Sequence, residues 1–252
     1  MMTPRRIADD IALCLVFFTR LPLPHFDLGS RTLAQAIWAA PLVGVAVAVA
    51  ASIVHALASA AGLSPELAAA LALGAAMLAT GCLHEDGLSD TADGFGGGRT
   101  REKKLEIMRD SRIGAYGASA LIMSALIRWS ALTQLGNTVW VFCGLLAAHA
   151  ASRALLPVFM HVVPPARQDG LAAGAGQASS ETAVMALAIG AVALLALGMS
   201  GLVAAAALLA ILFFGFRALC MRQIGGQTGD TLGALQQAGE MTVLLVAASV
   251  LT

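Results

Sequence analysis

Six stretches of this chain stay apolar over roughly the 20 residues that carry a helix across a bilayer. They run from about Leu33 to Ala60, Glu66 to Leu83, Ile113 to Leu135, Thr138 to His161, Thr182 to Met199 and Leu202 to Met221. Backbone groups in hydrocarbon must find partners within the segment, so such runs are expected as helices in an all-α, polytopic integral membrane bundle. A chain that is 58% hydrophobic and 12% charged also lies outside the range of soluble domains. Two shorter segments complete the expected layout. Ile7 to Leu21, stopped by Pro22, is short and charged and suits an interfacial or re-entrant helix. The tail Met241 to Leu251 reaches span length only if its helix begins near Asp230, which would bring the count from six to seven. We read residues 1–252 as one membrane domain with no separate soluble part.

Arg5 and Arg6 precede an apolar stretch as in a signal peptide. Asp9 and Asp10 interrupt it, and no small-residue cleavage pattern follows Leu21-Pro22-Leu23-Pro24, so the segment is expected to be retained. Pro41 could kink the first span, while Ser64 and Pro65 fit the N-cap and first position of the second. Gly136-Asn137 and a tight Ser200-Gly201 turn are expected to separate the later spans. Arg99 to Arg112 holds six of the 15 Lys and Arg residues and suits a helix on the membrane surface. The turns at Gly62 to Pro65, Gly136 to Thr138 and Met199 to Gly201 hold no Lys or Arg. The positive-inside rule therefore puts the basic loops on the cytoplasmic side of the membrane. The four cysteines lack Cys-x-x-Cys spacing and the five histidines lack His-x-x-x-His spacing, which argues against a soft-metal centre.

Chemistry is concentrated between Cys82 and Gly98, where four carboxylates, Glu85, Asp86, Asp90 and Asp93, fall within nine residues directly after the second span. On a helix, Asp86, Asp90 and Asp93 share a face and Glu85 points away from it. Three acids on one stripe repel one another unless a cation sits among them. Mg²⁺ takes carboxylate and phosphate oxygens together, so a diphosphate is the natural substrate of such a stripe. A second polar island, Gly225 to Ala234, lies on the same expected face. Its Gly226-Gln227-Thr228-Gly229 could offer backbone N–H groups to phosphate oxygens or form a flexible turn, and Arg109, Arg112 or Arg153 could neutralise remaining charge. Arg128, His149 and Arg153 lie within spans and should face the bundle interior, although Arg153 could also snorkel to the interface. The loop from Pro164 to Ser180 carries no clear chemistry.

Four motifs in this order resemble the cobalamin synthase family. They are Phe18-Thr19-Arg20-Leu21-Pro22, Asp86-Gly87-Leu88-Ser89-Asp90-Thr91-Ala92-Asp93-Gly94, Leu105 to Gly114 around Arg109-Asp110-Ser111-Arg112, and Gly225 to Ala234. The resemblance covers essentially the whole chain. It implies a Mg²⁺-dependent membrane transferase of late cobalamin assembly that joins adenosylcobinamide-GDP to α-ribazole, or its 5′-phosphate, with release of GMP. It further implies Asp86, Asp90 and Asp93 as Mg²⁺ ligands, with one of them or Asp230 helping to deprotonate the attacking hydroxyl. Arg20, Asp110, Arg112, Gln227, Thr228, Asp230 and Glu240 are then site residues without assigned roles. Membrane lipids, and other late cobalamin-assembly enzymes, would be its surroundings; nucleic acid would not. Two other classes compete. A CDP-alcohol-type lipid phosphotransferase would have Ala-Arg within its aspartate motif, which is missing here. A transporter would gather its polar residues near the midplane instead of at one face.

Overall fold

The computed structural model describes residues 3–23, 31–167 and 176–252. Pro24 and residues 168–175 of the polar loop lie outside them. The described chain is helical: α1 (Pro4–Phe18), α2 (Leu33–Ala36), α3 (Ala40–Ala60), α4 (Pro65–Thr80), α5 (Leu83–Gly97), α6 (Arg101–Ile107), α7 (Ala115–Leu135), α8 (Thr138–Val162), α9 (Ser180–Leu194), α10 (Gly198–Ile224) and α11 (Gly229–Val250). Single 3₁₀ turns join α2 to α3 and α9 to α10. The expected all-α membrane bundle is therefore present.

The spans differ from expectation in three instructive places. Pro41 does not kink α3, because a 3₁₀ turn ends just before it and leaves Pro41 in the first turn, where its missing N–H goes unneeded. The second span and the acidic stretch form two helices bent by 88°, with Gly81 and Cys82 both left-handed at the joint. Cys82 is the sole non-glycine with positive φ among the described residues. The break between the fifth and sixth spans falls at Leu195–Leu197 and Gly198, where φ is +71°, and not at Ser200-Gly201. Gly201 lies inside α10, where a Cβ would come within 2.6 Å of that of Leu197. The run from Ser180 to Ile224 would extend about 68 Å if straight, over twice the hydrocarbon thickness. Instead it doubles back: Gly190 of α9 packs on Ala151 and Ala154 of α8, and Phe213 of α10 returns to meet Phe159 at 5.6 Å between ring centroids. The C-terminal helix does begin beside Asp230 and reaches 22 residues.

Lipid chains are as apolar as leucine, so burial of apolar surface cannot hold these helices together; close van der Waals packing must. Small residues provide it. Gly44 brings α3 so near α8 that a Cβ would lie 2.3 Å from the His149 carbonyl oxygen, and Gly239 lets α11 approach Ser152. Large side chains such as Ile53, Leu78, Val184 and Ile211 turn outward instead.

Contacts sort the loops into two ends. Trp129 Nε1 donates to the Glu66 carbonyl, Gln134 Nε2 to that of Ala248, and Gly201 meets Val250. At the opposite end Arg101 donates from Nε to the Ile224 carbonyl at 2.7 Å and from Nη2 to the Ala166 carbonyl at 2.6 Å, drawing three loops together. The N-terminal helix joins this end through Asp10, which is buried and accepts from Arg31 Nε at 2.8 Å, Arg31 Nη2 at 2.6 Å and Trp38 Nε1 at 2.8 Å.

Gly44→Val is expected to lower stability by about 1–3 kcal/mol through overpacking of α3 on α8. Unfolding of the purified chain in detergent measures this; unchanged stability would contradict the packing account.

Candidate active site

The joint at Gly81 and Cys82 turns α5 across the bundle towards α11, and two glycines set how close they come. A Cβ on Gly87 would lie 2.7 Å from the Asp230 carbonyl oxygen, and one on Gly233 would lie 3.2 Å from the Gly87 Cα. The two polar islands, well over a hundred residues apart in sequence, therefore touch backbone to backbone.

Thr228 caps α11, its Oγ1 accepting from Thr231 N at 3.3 Å and donating to Asp230 Oδ2 at 3.1 Å. The loop before it is less open than expected. Gln227 N donates to the Pro164 carbonyl and Ala166 N to the Gln227 carbonyl, both at 2.8 Å, while Thr228 N donates to Thr231 Oγ1. Two of the four amides expected to face phosphate are thus already engaged within the protein. The loop after Pro164 has a chemistry that the sequence reading missed: Arg167 Nη2 stands 3.7 Å from Asp230 Oδ2. Its signal was available, since Arg167 is the one cation between Pro164 and Ser180.

Asp86 and Asp230 line one cleft with Gly87 and Gly233, walled by Phe17, Phe18, Leu33, Ile37, Leu156 and Met160. Its empty space, counted out to the open mouth, is about 740 Å³. His84 also lines it, its ring stacked on Phe18 with centroids 5.9 Å apart. Asp90, half-buried, feels the charges of Asp86, Asp230 and Asp93.

The four clustered carboxylates have separate environments. Asp86 is exposed and Asp90 partly so, whereas Glu85 and Asp93 are buried. Asp93 accepts from Gly114 N at 2.7 Å and Gly117 N at 2.9 Å, so both of its oxygens cap the start of α7. The expected three-acid stripe is thereby divided, with Asp93 turned to backbone amides. Glu85, pointing away from the stripe as expected, meets Arg128 at 2.9 Å.

Arg153 and Glu240 lie elsewhere than on the cleft face. Glu240 is buried, with Arg128 at 3.2 Å and His149 at 3.1 Å, and Arg153 contacts His149 Nδ1 at 3.1 Å. Arg128 and His149 thus meet carboxylates, whereas Arg153 is held by the ring and carbonyl of His149 and, being buried, does not snorkel. Arg20 donates its backbone N–H to the Ala79 carbonyl at 2.7 Å, and its side chain covers Gly81 at the joint. Arg109, Asp110 and Arg112 follow α6 on the surface. Hydrogen bonds from Arg112 push the Asp110 carboxyl down to about 2. Gln227 is buried, and its side-chain oxygen has no partner among the described residues.

Among the described residues no three His, Cys, Asp or Glu side chains form a ready-made metal cage. Asp86, Asp90 and Asp230 nevertheless supply the oxygen donors that a hard cation takes, and Mg²⁺ ordinarily uses one or two carboxylates and completes its shell with phosphate and water.

Acids converging from two islands at the mouth of an apolar-walled cleft, at one end of a helical membrane bundle, define an integral membrane enzyme. Its family follows from comparison. The model described as cobalamin-5-phosphate synthase matches residues 10–248, and the chain belongs to that family. An adenosylcobinamide-GDP ribazoletransferase of Mesorhizobium japonicum is 60% identical over 251 residues, covering 100% of this chain and 97% of the relative. Proteins of the same name from Bradyrhizobium diazoefficiens and Brucella ovis are 49% and 42% identical, covering 98% and 95% of this chain and 96% of each relative. No solved structure matches. The chain is accordingly a transferase of cobalamin synthesis.

Because Gly87 sets the approach of α5 to Asp230, Gly87→Ala should cut turnover at least tenfold while the protein remains membrane-inserted and folded. Steady-state kinetics beside an unfolding curve checks this, and near-normal turnover would contradict it.

Proposed function

We propose that the chain joins adenosylcobinamide-GDP to α-ribazole, or to α-ribazole 5′-phosphate, and releases GMP. The observation that carries this reading is the meeting of Asp86 and Asp230 in one cleft. A ribose hydroxyl attacks the phosphorus on the corrinoid side of the diphosphate. The new P–O bond forms as the bridging P–O bond breaks, GMP leaves with the electron pair, and the hydroxyl proton passes to a carboxylate. Asp230 suits that last task, being held at the first turn of α11 by Thr228 and neighboured by Arg167. Arg167 would balance charge on the transferring phosphate, and the apolar walls would exclude water that could otherwise hydrolyse the diphosphate. Mg²⁺ held by Asp86 and Asp90, when bound, would neutralise phosphate oxygens and the departing GMP.

The relatives' names support the substrates, and the excess of Lys and Arg in the loops at this end supports placing it in the cytoplasm, with the protein in the inner membrane. Free substrates would then reach it from the compartment that makes nucleotides.

The test is GMP release from adenosylcobinamide-GDP and α-ribazole by the liposome-reconstituted chain, titrated with Mg²⁺ and run beside Asp86→Asn. Release should require Mg²⁺ and fall at least a hundredfold in the variant, equivalent to about 2.7 kcal/mol of transition-state stabilisation. Failure of folded wild-type protein to release GMP would refute the reaction, while turnover unchanged by Asp86→Asn would refute the role of that carboxylate.

A further inference from the structure

α5 is a poor helix by composition. It holds Gly87, Gly94 and Gly96, with Gly97 at its end, and glycine in a helix interior is disfavoured relative to alanine by about 1 kcal/mol. Something outside it must fix its roll. Besides the close backbone contact of Gly87 with α11, two side-chain attachments do, and both are to α7. Near its start Glu85 Oε1 accepts from Arg128 Nη1 at 2.9 Å; near its end Asp93 accepts from the amides of Gly114 and Gly117. Glycine at 114 and 117 is what admits that carboxylate, since a Cβ at either would lie 2.4 or 2.3 Å from an Asp93 oxygen. The two acids stand about 80° apart around the helix and eight residues apart along it, so together they prevent rolling. Arg128 Nη1 also donates to Glu240 Oε1 at 3.2 Å, which ties α11, the helix of Asp230, to the same guanidinium.

We propose that Glu85 and Asp93 are positioning residues which, with Arg128 as shared anchor, staple α5 to α7 and so aim Asp86 and Asp90 at Asp230. The inference rests on the reading that Asp86, Asp90 and Asp230 form the reacting site, and it gives the four clustered acids two functions. The two buried ones hold the helix, and the two accessible ones face the substrate.

A test independent of activity uses a chain whose native cysteines are replaced by serine and which carries Asp86→Cys with Asp230→Cys. In liposomes a short bismaleimide should cross-link this pair efficiently. Adding Glu85→Leu, which leaves Arg128 paired with Glu240, or Asp93→Ala should each lower the yield at least threefold, and Glu85→Gln, which keeps the hydrogen bond, should restore most of it. The control pair Leu187→Cys with Phe213→Cys, facing one groove between α9 and α10, should cross-link equally in every background. In the cysteine-intact enzyme, Glu85→Leu should lower kcat at least tenfold and change KM for the corrinoid substrate less than twofold. An unchanged 86–230 cross-link in both variants, or equal loss from the control pair, would overturn the inference. Absence of GMP release by wild-type protein would instead sink the proposed reaction and leave the cross-linking comparison standing.

Discussion

One guanidinium, that of Arg128, meets two carboxylates inside a bundle surrounded by hydrocarbon, and the arrangement at the polar end depends on it. An ion in such a place is tolerated only when paired, and removing one partner of a buried pair typically costs about 3–5 kcal/mol. The penalty makes the contact unforgiving: α5, α7 and α11 must lie so that the Arg128 guanidinium reaches both Glu85 and Glu240. Glycine packing then does at the backbone what the charges do at the side chains. Gly87 and Gly233 let α5 and α11 come into contact, and the acids beside them reach a common cleft.

Much of the fold was legible because hydrocarbon leaves a chain few choices. Runs of about 20 apolar residues became helices, and the C-terminal helix took its full length from polar residues at its start. The misplaced turn at Ser200-Gly201 shows what the pattern lacks. Gly198 and Gly201 are equivalent as letters; they differ in backbone conformation, Gly198 taking a φ of +71° at the break and Gly201 lying inside α10. The bend of α4 into α5 was hidden for a related reason. A left-handed cysteine at position 82 has no signature in sequence, and apolar α4 ran without interruption towards the acids.

At the candidate site, the two islands singled out in the sequence do meet, but the separate surroundings of their acids were not legible there. Helical periodicity places Asp86, Asp90 and Asp93 on one stripe, and it cannot see that α7 begins opposite the last of them and takes both its oxygens. The resemblance points to Glu240 and charge points to Arg153, yet both lie buried in the interior, because a residue's depth follows from helix contacts and not from its motif. Arg167 was overlooked because one cation in a polar loop is unremarkable until the loop is seen to pair with Gln227 and bring it to Asp230.

Under the proposed function, carboxylates from both islands serve a single cation-and-diphosphate site. Mn²⁺, which favours the same hard oxygen ligands as Mg²⁺, reports on this directly when titrated into the detergent-purified chain with GDP and followed by electron paramagnetic resonance. Saturable binding is expected, weakening at least tenfold both in Asp86→Asn and in Asp230→Asn, variants of islands far apart in sequence. Binding that both variants leave unchanged would contradict it.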